Sequence, residues 1–138
     1  MKLLGFNFEK ISIERLKNSQ GEIKIKSNID ISEIKEMKAD FLKSQENPLQ
    51  IDFVYSVDYE PEVARIELKG TIILSVEEQQ SKEILKDWKK KKTSEDFRQV
   101  VFNLILRKAT IRALELEDEM NLPPHMPMPV LGHEKQGE

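Results

Sequence analysis

The sequence predicts an α+β fold: an antiparallel four-stranded sheet with two C-terminal helices on one face. Three observations predict it. Apolar and polar residues alternate over most of residues 6–76, the short joint Glu60-Pro61-Glu62 links two of these stretches as a hairpin, and the spacing turns helical at Glu77. A run of strands followed by a run of helices packs as segregated layers, not as a parallel sheet with crossover helices.

The first strand is expected within residues 6–16. Phe6 and Phe8 share a face, and Ile11 and Ile13 return to it one residue out of step, so a bulge or bend belongs near Glu9 and Lys10. Residues 17–22 read as a turn. A second strand follows in 22–31, with Ile23, Ile25, Ile29 and Ile31 on one face and lysines opposite. Residues 32–43 fit two patterns. Ile34, Met37, Phe41 and Leu42 mark a short helix, whereas Lys35, Met37, Ala39 and Phe41 alternate as an extended edge. Strand is the preferred reading, because the surrounding sequence is β-rich. Residues 44–48 read as a loop.

The third strand, 49–59, is the clearest. Ile51, Phe53, Tyr55, Val57 and Tyr59 point one way, and Asp52, Ser56 and Asp58 the other. The fourth starts at Val63 and keeps Ala64, Ile66, Leu68, Gly70, Ile72, Leu74 and Val76 in step. Gly70 in mid-strand predicts a bend or a close approach by another backbone.

A first helix over 77–92 carries Ile84, Leu85 and Trp88 and closes on four lysines, which suit the negative end of a helix dipole. Thr93, with Asp96 three residues on, offers a capping box for a second helix, 94–119. Between 100 and 106 only Asn103 is polar, whereas one sheet face buries only one stripe of a helix. The second helix is therefore expected at a homo-oligomer interface, dimer or tetramer, with Val101, Phe102, Ile105, Leu106 and Ala109 as interface candidates. The competing reading is a single central helix wrapped by its own sheet and C-terminal arm.

The chain of 138 residues reads as one domain, 1–131, with a flexible tail, 132–138. A net charge of −3 makes no case for nucleic acid or anionic lipid, and the lack of cysteine excludes thiol chemistry and disulfides. Glu9 and Lys10 interrupt the N-terminus too soon for a secretory signal, and no run approaches the roughly 20 apolar residues of a membrane span. The cytoplasm is the expected address. His125 and His133 have no carboxylate or thiol at ligand spacing, and neither a phosphate-cradling glycine loop nor a nucleophile elbow is present. Neither a cofactor, a metal nor enzymatic activity is expected.

Residues 121–131, NLPPHMPMPVL, hold four of the six prolines among apolar side chains. Proline lowers the entropy cost of ordering a segment, and an extended backbone puts Met126, Met128 and Val130 on one side. This arm is expected to fold back along the long helix or the sheet.

The order of elements resembles that of the SecB family of translocation chaperones, over roughly residues 6–131. The stretches IDFVYSVDYEPEVARIELKGTIIL and FRQVVFNLILRKATIRALELEDEMNLPPHMPMPVL carry most of the similarity. Leu122-Pro123 and Pro127-Met128-Pro129-Val130 match the family's leucine–proline–valine element, as in a divergent member. The resemblance implies a cytosolic tetramer, a dimer of dimers built through the long helices. It also implies a nucleotide-independent holdase that binds unfolded clients along apolar grooves and assists their export. Leu122, Met126, Met128, Val130 and Leu131 then become client-groove candidates, with the adaptable methionines in one wall. Acidic residues on the exposed sheet dock the motor SecA in bacterial members, which brings forward Asp52, Asp58 and Glu67 as partner-docking candidates. The lysines on this sheet and the short tail depart from that pattern and leave the motor open, as does the existence of relatives serving toxin–antitoxin pairs. The alternative is an oligomeric scaffold or adaptor that binds a folded partner through its sheet. A small-ligand module in a curved sheet comes third.

Overall fold

Four strands meet the sequence's demand for one buried face. In the computed structural model, which describes residues 1–18, 21–37 and 47–132, they are β1 (Lys2–Arg15), β2 (Lys24–Glu36), β3 (Asn47–Glu60) and β4 (Ala64–Val76). They form one antiparallel sheet in the order β1-β4-β3-β2. Cross-strand partners share a face, so Phe53 and Tyr55 of β3 line up with Gly70 and Leu68 of β4, and these with Phe8 and Ile11 of β1. That face is the core. Leu49, Ile51, Phe53, Tyr55, Val57 and Tyr59 are all buried on it.

The expected bulge in β1 is present between Phe8 and Lys10, and a second lies between Leu3 and Gly5. The second bulge lets the strand begin at Lys2 and not at Phe6. It resets the alternation, so Leu3 and Phe6, three residues apart, both face Leu74 and Ile72 of the core. A third bulge, between Ile31 and Glu33, explains the ambiguity after Ile31. It carries Ile34 onto the face of Ile29 and Ile31, where it is buried, so β2 continues to Glu36. Residues 38–43 of that ambiguous stretch lie outside the described residues. Asn47 and Pro48, expected in a loop, already pair with Val76 and Ser75.

Two helices follow, α1 (Glu78–Lys89) and α2 (Glu95–Glu119). Ile84, Leu85 and Trp88 of α1 pack against the core. The lysine run turns the chain and does not extend the helix. Lys91 takes a left-handed φ of 57°, and the amides of Lys91 and Lys92 donate to the carbonyls of Trp88 and Asp87. The N-cap of α2 is Ser94, not Thr93: its hydroxyl accepts the amide of Phe97 at 3.2 Å. Asp96 consequently sits in the first turn, where its charge suits the helix dipole without closing a capping box.

α2 buries Phe97, Val101, Ile105, Ala109, Ala113 and Leu116. The four-residue spacing from Phe97 to Ala113 is one ridge laid along the sheet. Of the five interface candidates, Val101, Ile105 and Ala109 are buried in the chain's own core, and Phe102 and Leu106 keep accessible surface.

Gly70 is held by close approach, as its place in the pattern suggested. A Cβ there would lie 2.5 Å from the Asn7 carbonyl oxygen and 2.7 Å from Phe53 Cζ. Phe6, Phe8 and Phe53 stack around the gap, with Phe6 and Phe8 edge to face at 5.2 Å. Gly70→Ala should therefore cost about 1–3 kcal/mol in urea unfolding, through forced displacement of β1 or Phe53. An unchanged midpoint would contradict this packing.

Candidate functional site

With its ridge on the sheet, α2 leaves two flanks. At about 100° per residue, Leu104 and Ile111 fall on one and Phe102 and Leu106 on the other. The first flank faces the start of β1. There Leu3, Phe6, Leu104, Arg107, Lys108 and Ile111 line a cleft of about 370 Å³. Its floor is apolar because Leu3 and Phe6 of β1 turn to the core face beside Leu74 and Ile72 and are only partly covered. Leu3 remains 40% exposed and Ile111 61%. Arg107 and Lys108 stand over this floor, exposed and without an ion pair to any described residue. A larger hollow between Glu22–Lys24 and Glu60–Pro61 is more open and is lined by three charged residues beside Ile23 and Pro61.

The arm leaves α2 through a Schellman turn. Asn121 adopts φ 55°, its amide donates to the Asp118 carbonyl, and the Leu122 amide donates to that of Glu117 at 2.8 Å. Asparagine tolerates this left-handed position, and Pro123 and Pro124 prevent the helix from resuming. No basic residue of α2 lies in its last turn. Arg15 of β1 supplies the charge instead, donating to the Met120 carbonyl.

Beyond the turn Leu122 enters the core, and a buried polar cluster fixes the next three residues. The carboxylate of Glu117 is almost fully buried. It accepts the His125 amide at 3.0 Å, and its other oxygen lies 2.7 Å from His125 Nδ1. His125 Nε2 sits 3.0 Å from the Tyr55 hydroxyl, and the Tyr59 hydroxyl donates to the Pro123 carbonyl. Burial first, and the Glu117 charge second, push both tyrosine hydroxyls above the ordinary phenol range. Both therefore stay protonated and available as donors.

The structure divides the client-groove candidates. Leu122 is a buried anchor and offers no surface. Met126 and Met128 are exposed, with Met128 lying near Leu114 and Pro124, and Val130 and Leu131 are almost wholly exposed. The arm is thus docked through His125 and open beyond it. Apart from Gly132, the tail 132–138 lies outside the described residues, as does His133.

Asp52, Asp58 and Glu67 all occupy the sheet face away from the helices. Asp58 pairs with Arg65, and Glu67 with Lys10 at 2.6 Å, which holds the Glu67 carboxyl below the usual range. Asp52 shares the Thr71 hydroxyl with Glu9. Two of these three acids are therefore already neutralised within the chain. Sequence reasoning missed the β1–α2 cleft. The signal was present in Leu3-Leu4, weighed only as a secretory segment, and in the seven-residue spacing of Leu104 and Ile111. Among the described residues no cluster of three His, Asp or Glu side chains could hold a metal ion, and no helix is long and apolar enough to cross a membrane.

No family model matches the chain, and no curated protein is similar to it in sequence. A solved structure is similar in fold: the SecB-like chaperone Rv1957 of Mycobacterium tuberculosis, in complex with a ChAD peptide from the antitoxin HigA1 (Rv1956). The two share 9% identity with a TM-score of 0.53, over 95% of this chain and 89% of the other. The fold is therefore SecB-like, an antiparallel four-stranded sheet with two helices.

The buried cluster makes a direct claim about the arm. Glu117→Gln keeps the shape but turns one acceptor towards its donors as an amide. It should cost about 1.5–3 kcal/mol of stability and speed exchange of the His125 amide at least tenfold. Unchanged protection at His125 would show that the arm is held by Leu122 alone.

Proposed function

We propose that this chain is a nucleotide-independent holdase, which keeps unfolded polypeptides soluble by binding their apolar segments at its surface and so assists their export. The single observation that carries the reading is an exposed apolar cleft on a SecB-like fold, at Leu3, Phe6, Leu104 and Ile111. The similar mycobacterial chaperone was solved with a peptide from a partner protein, which supports polypeptide as the ligand class. Such a cleft can take many sequences, since apolar burial is non-directional, and exposed Met126 and Met128 add a separate adaptable apolar surface on the arm.

In this reading the protein works in the cytoplasm as a homo-oligomer and performs no chemistry. Its copies associate through the second flank of α2, where Leu106 is 41% exposed beside Phe102, leaving the first flank to clients. A translocation motor or a toxin–antitoxin pair would each be compatible with client holding. The scaffold reading would rely on the open sheet face, and the internal pairing of Asp58 and Glu67 gives that face less charge to offer a partner.

The test is aggregation suppression with two unrelated denatured proteins, without nucleotide, alongside mass by light scattering. The wild type should protect both. Leu104→Asp with Ile111→Asp should lose most of the protection while keeping its circular dichroism. Each buried aliphatic contact of a client is worth up to about 1.5–3 kcal/mol, so the loss should exceed tenfold in apparent affinity. Protection of neither client, or full protection by the double variant, would overturn the reading.

A further inference from the structure

Among the described residues Glu117 is the one charged residue enclosed by the core, and the proposed client site makes no use of it. Its side chain keeps 1% of its surface, and that of His125 keeps 6%. Few groups face this pair. From β3 come the hydroxyls of Tyr55 and Tyr59, with Ser27 of β2 and Thr110 of α2 beside Tyr55. Asp118 of α2 lines the neighbouring hollow and is exposed. Arg15 of β1 is engaged by the Met120 carbonyl, and no described cation other than His125 pairs with Glu117.

The charge of the enclosed pair therefore turns on one proton. With the imidazole protonated, imidazolium and carboxylate cancel. With it neutral, Nδ1–H still donates to Glu117, but the carboxylate is left as an uncompensated charge out of water, which is costly. Tyr55 serves both forms. Its hydroxyl donates to a neutral Nε2, or accepts from a protonated Nε2 and turns its own proton towards Thr110 or Ser27. Hydrogen bonding is conserved across the step, and only the charge changes.

From this geometry we infer that Glu117 and His125 form a proton-dependent latch on the C-terminal arm, closed while the pair holds its proton and loosened when that proton leaves. The latch slackens as pH rises through the ordinary histidine range, about 6.5. In the carboxylate range, about pH 4, a proton on Glu117 would leave the imidazolium alone, so the latch is tightest between the two. It controls residues 122–125 as a unit, because Leu122 and His125 hang from α2 by the turn at Met120 and Asn121. Opening lifts Leu122 from the core and bares Tyr55 and Tyr59, which adds apolar surface next to exposed Met126 and Met128. The inference concerns the arm and stands apart from the holdase reading.

The experiment is amide exchange of the full chain by NMR, between about pH 6 and pH 8.5, expressed as protection factors so that the intrinsic pH dependence of exchange is removed. The amides of Leu122 and His125 report the latch, since they donate to the Glu117 carbonyl and carboxylate. Those of Val101 and Ile105, in the core ridge, report the whole fold. One proton held on closing allows at most about tenfold per pH unit, so the ratio of arm to core protection should fall about fivefold or more across the range. His125→Gln should lose this dependence. Glu117→Gln should reverse it, because the imidazolium then becomes the uncompensated charge. A ratio in the wild type that stays constant or rises with pH overturns the latch. So does a fall that persists in either variant. Parallel loss at Val101 and Ile105 assigns the effect to global stability and overturns it as well.

Discussion

Everything in this molecule is referred to one contact, the ridge of α2 against the inner face of the sheet. Val101, Ile105, Ala109 and Ala113 are fully buried there. The two alanines matter as much as the larger residues, because small side chains let a helix approach a sheet closely. Once this ridge is fixed, the helix has no freedom to rotate. Its orientation decides that Leu104 and Ile111 overlook β1, that Phe102 and Leu106 look the other way, and that the helix ends within reach of Arg15.

The second constraint is the buried carboxylate of Glu117. A charge taken from water is costly unless it is surrounded by donors, and here the His125 amide and imidazole approach it within 3.0 Å beside two tyrosines. Removing one partner leaves another unsatisfied, so the cluster acts as a unit. It fixes where the ordered chain stops. Through His125 the arm is part of the fold; from Met126 it is surface.

The sequence made the sheet legible because period-two alternation is strict in the central strands, where both neighbours enforce it. At the edges it was partly hidden. Three bulges, at Leu4, Glu9 and Ser32, shift the pattern by one residue, and only the one at Glu9 falls between two clean alternating pairs. The long helix was legible, but the partition of its apolar residues was not. Val101 and Phe102 are both hydrophobic, and only the angle of the helix on the sheet sends one to the core and leaves the other at the surface. For the same reason the cleft was missed, since it joins residues about a hundred positions apart in sequence. The role of Glu117 was equally hidden: a glutamate near a helix end is ordinarily a solvated residue, and only the fold shows that His125 returns to it.

In the proposed holdase, unfolded chains bind at the cleft between β1 and α2. Methyl NMR on the isoleucine- and leucine-labelled protein, titrated with an unfolded client, tests it most directly. The methyls of Leu3, Leu104 and Ile111 should shift and broaden together, while those of Leu49 and Ile51, buried beneath the helices, stay in place. Perturbation confined to Ile73 on the open sheet face, with Leu104 and Ile111 silent, would contradict it.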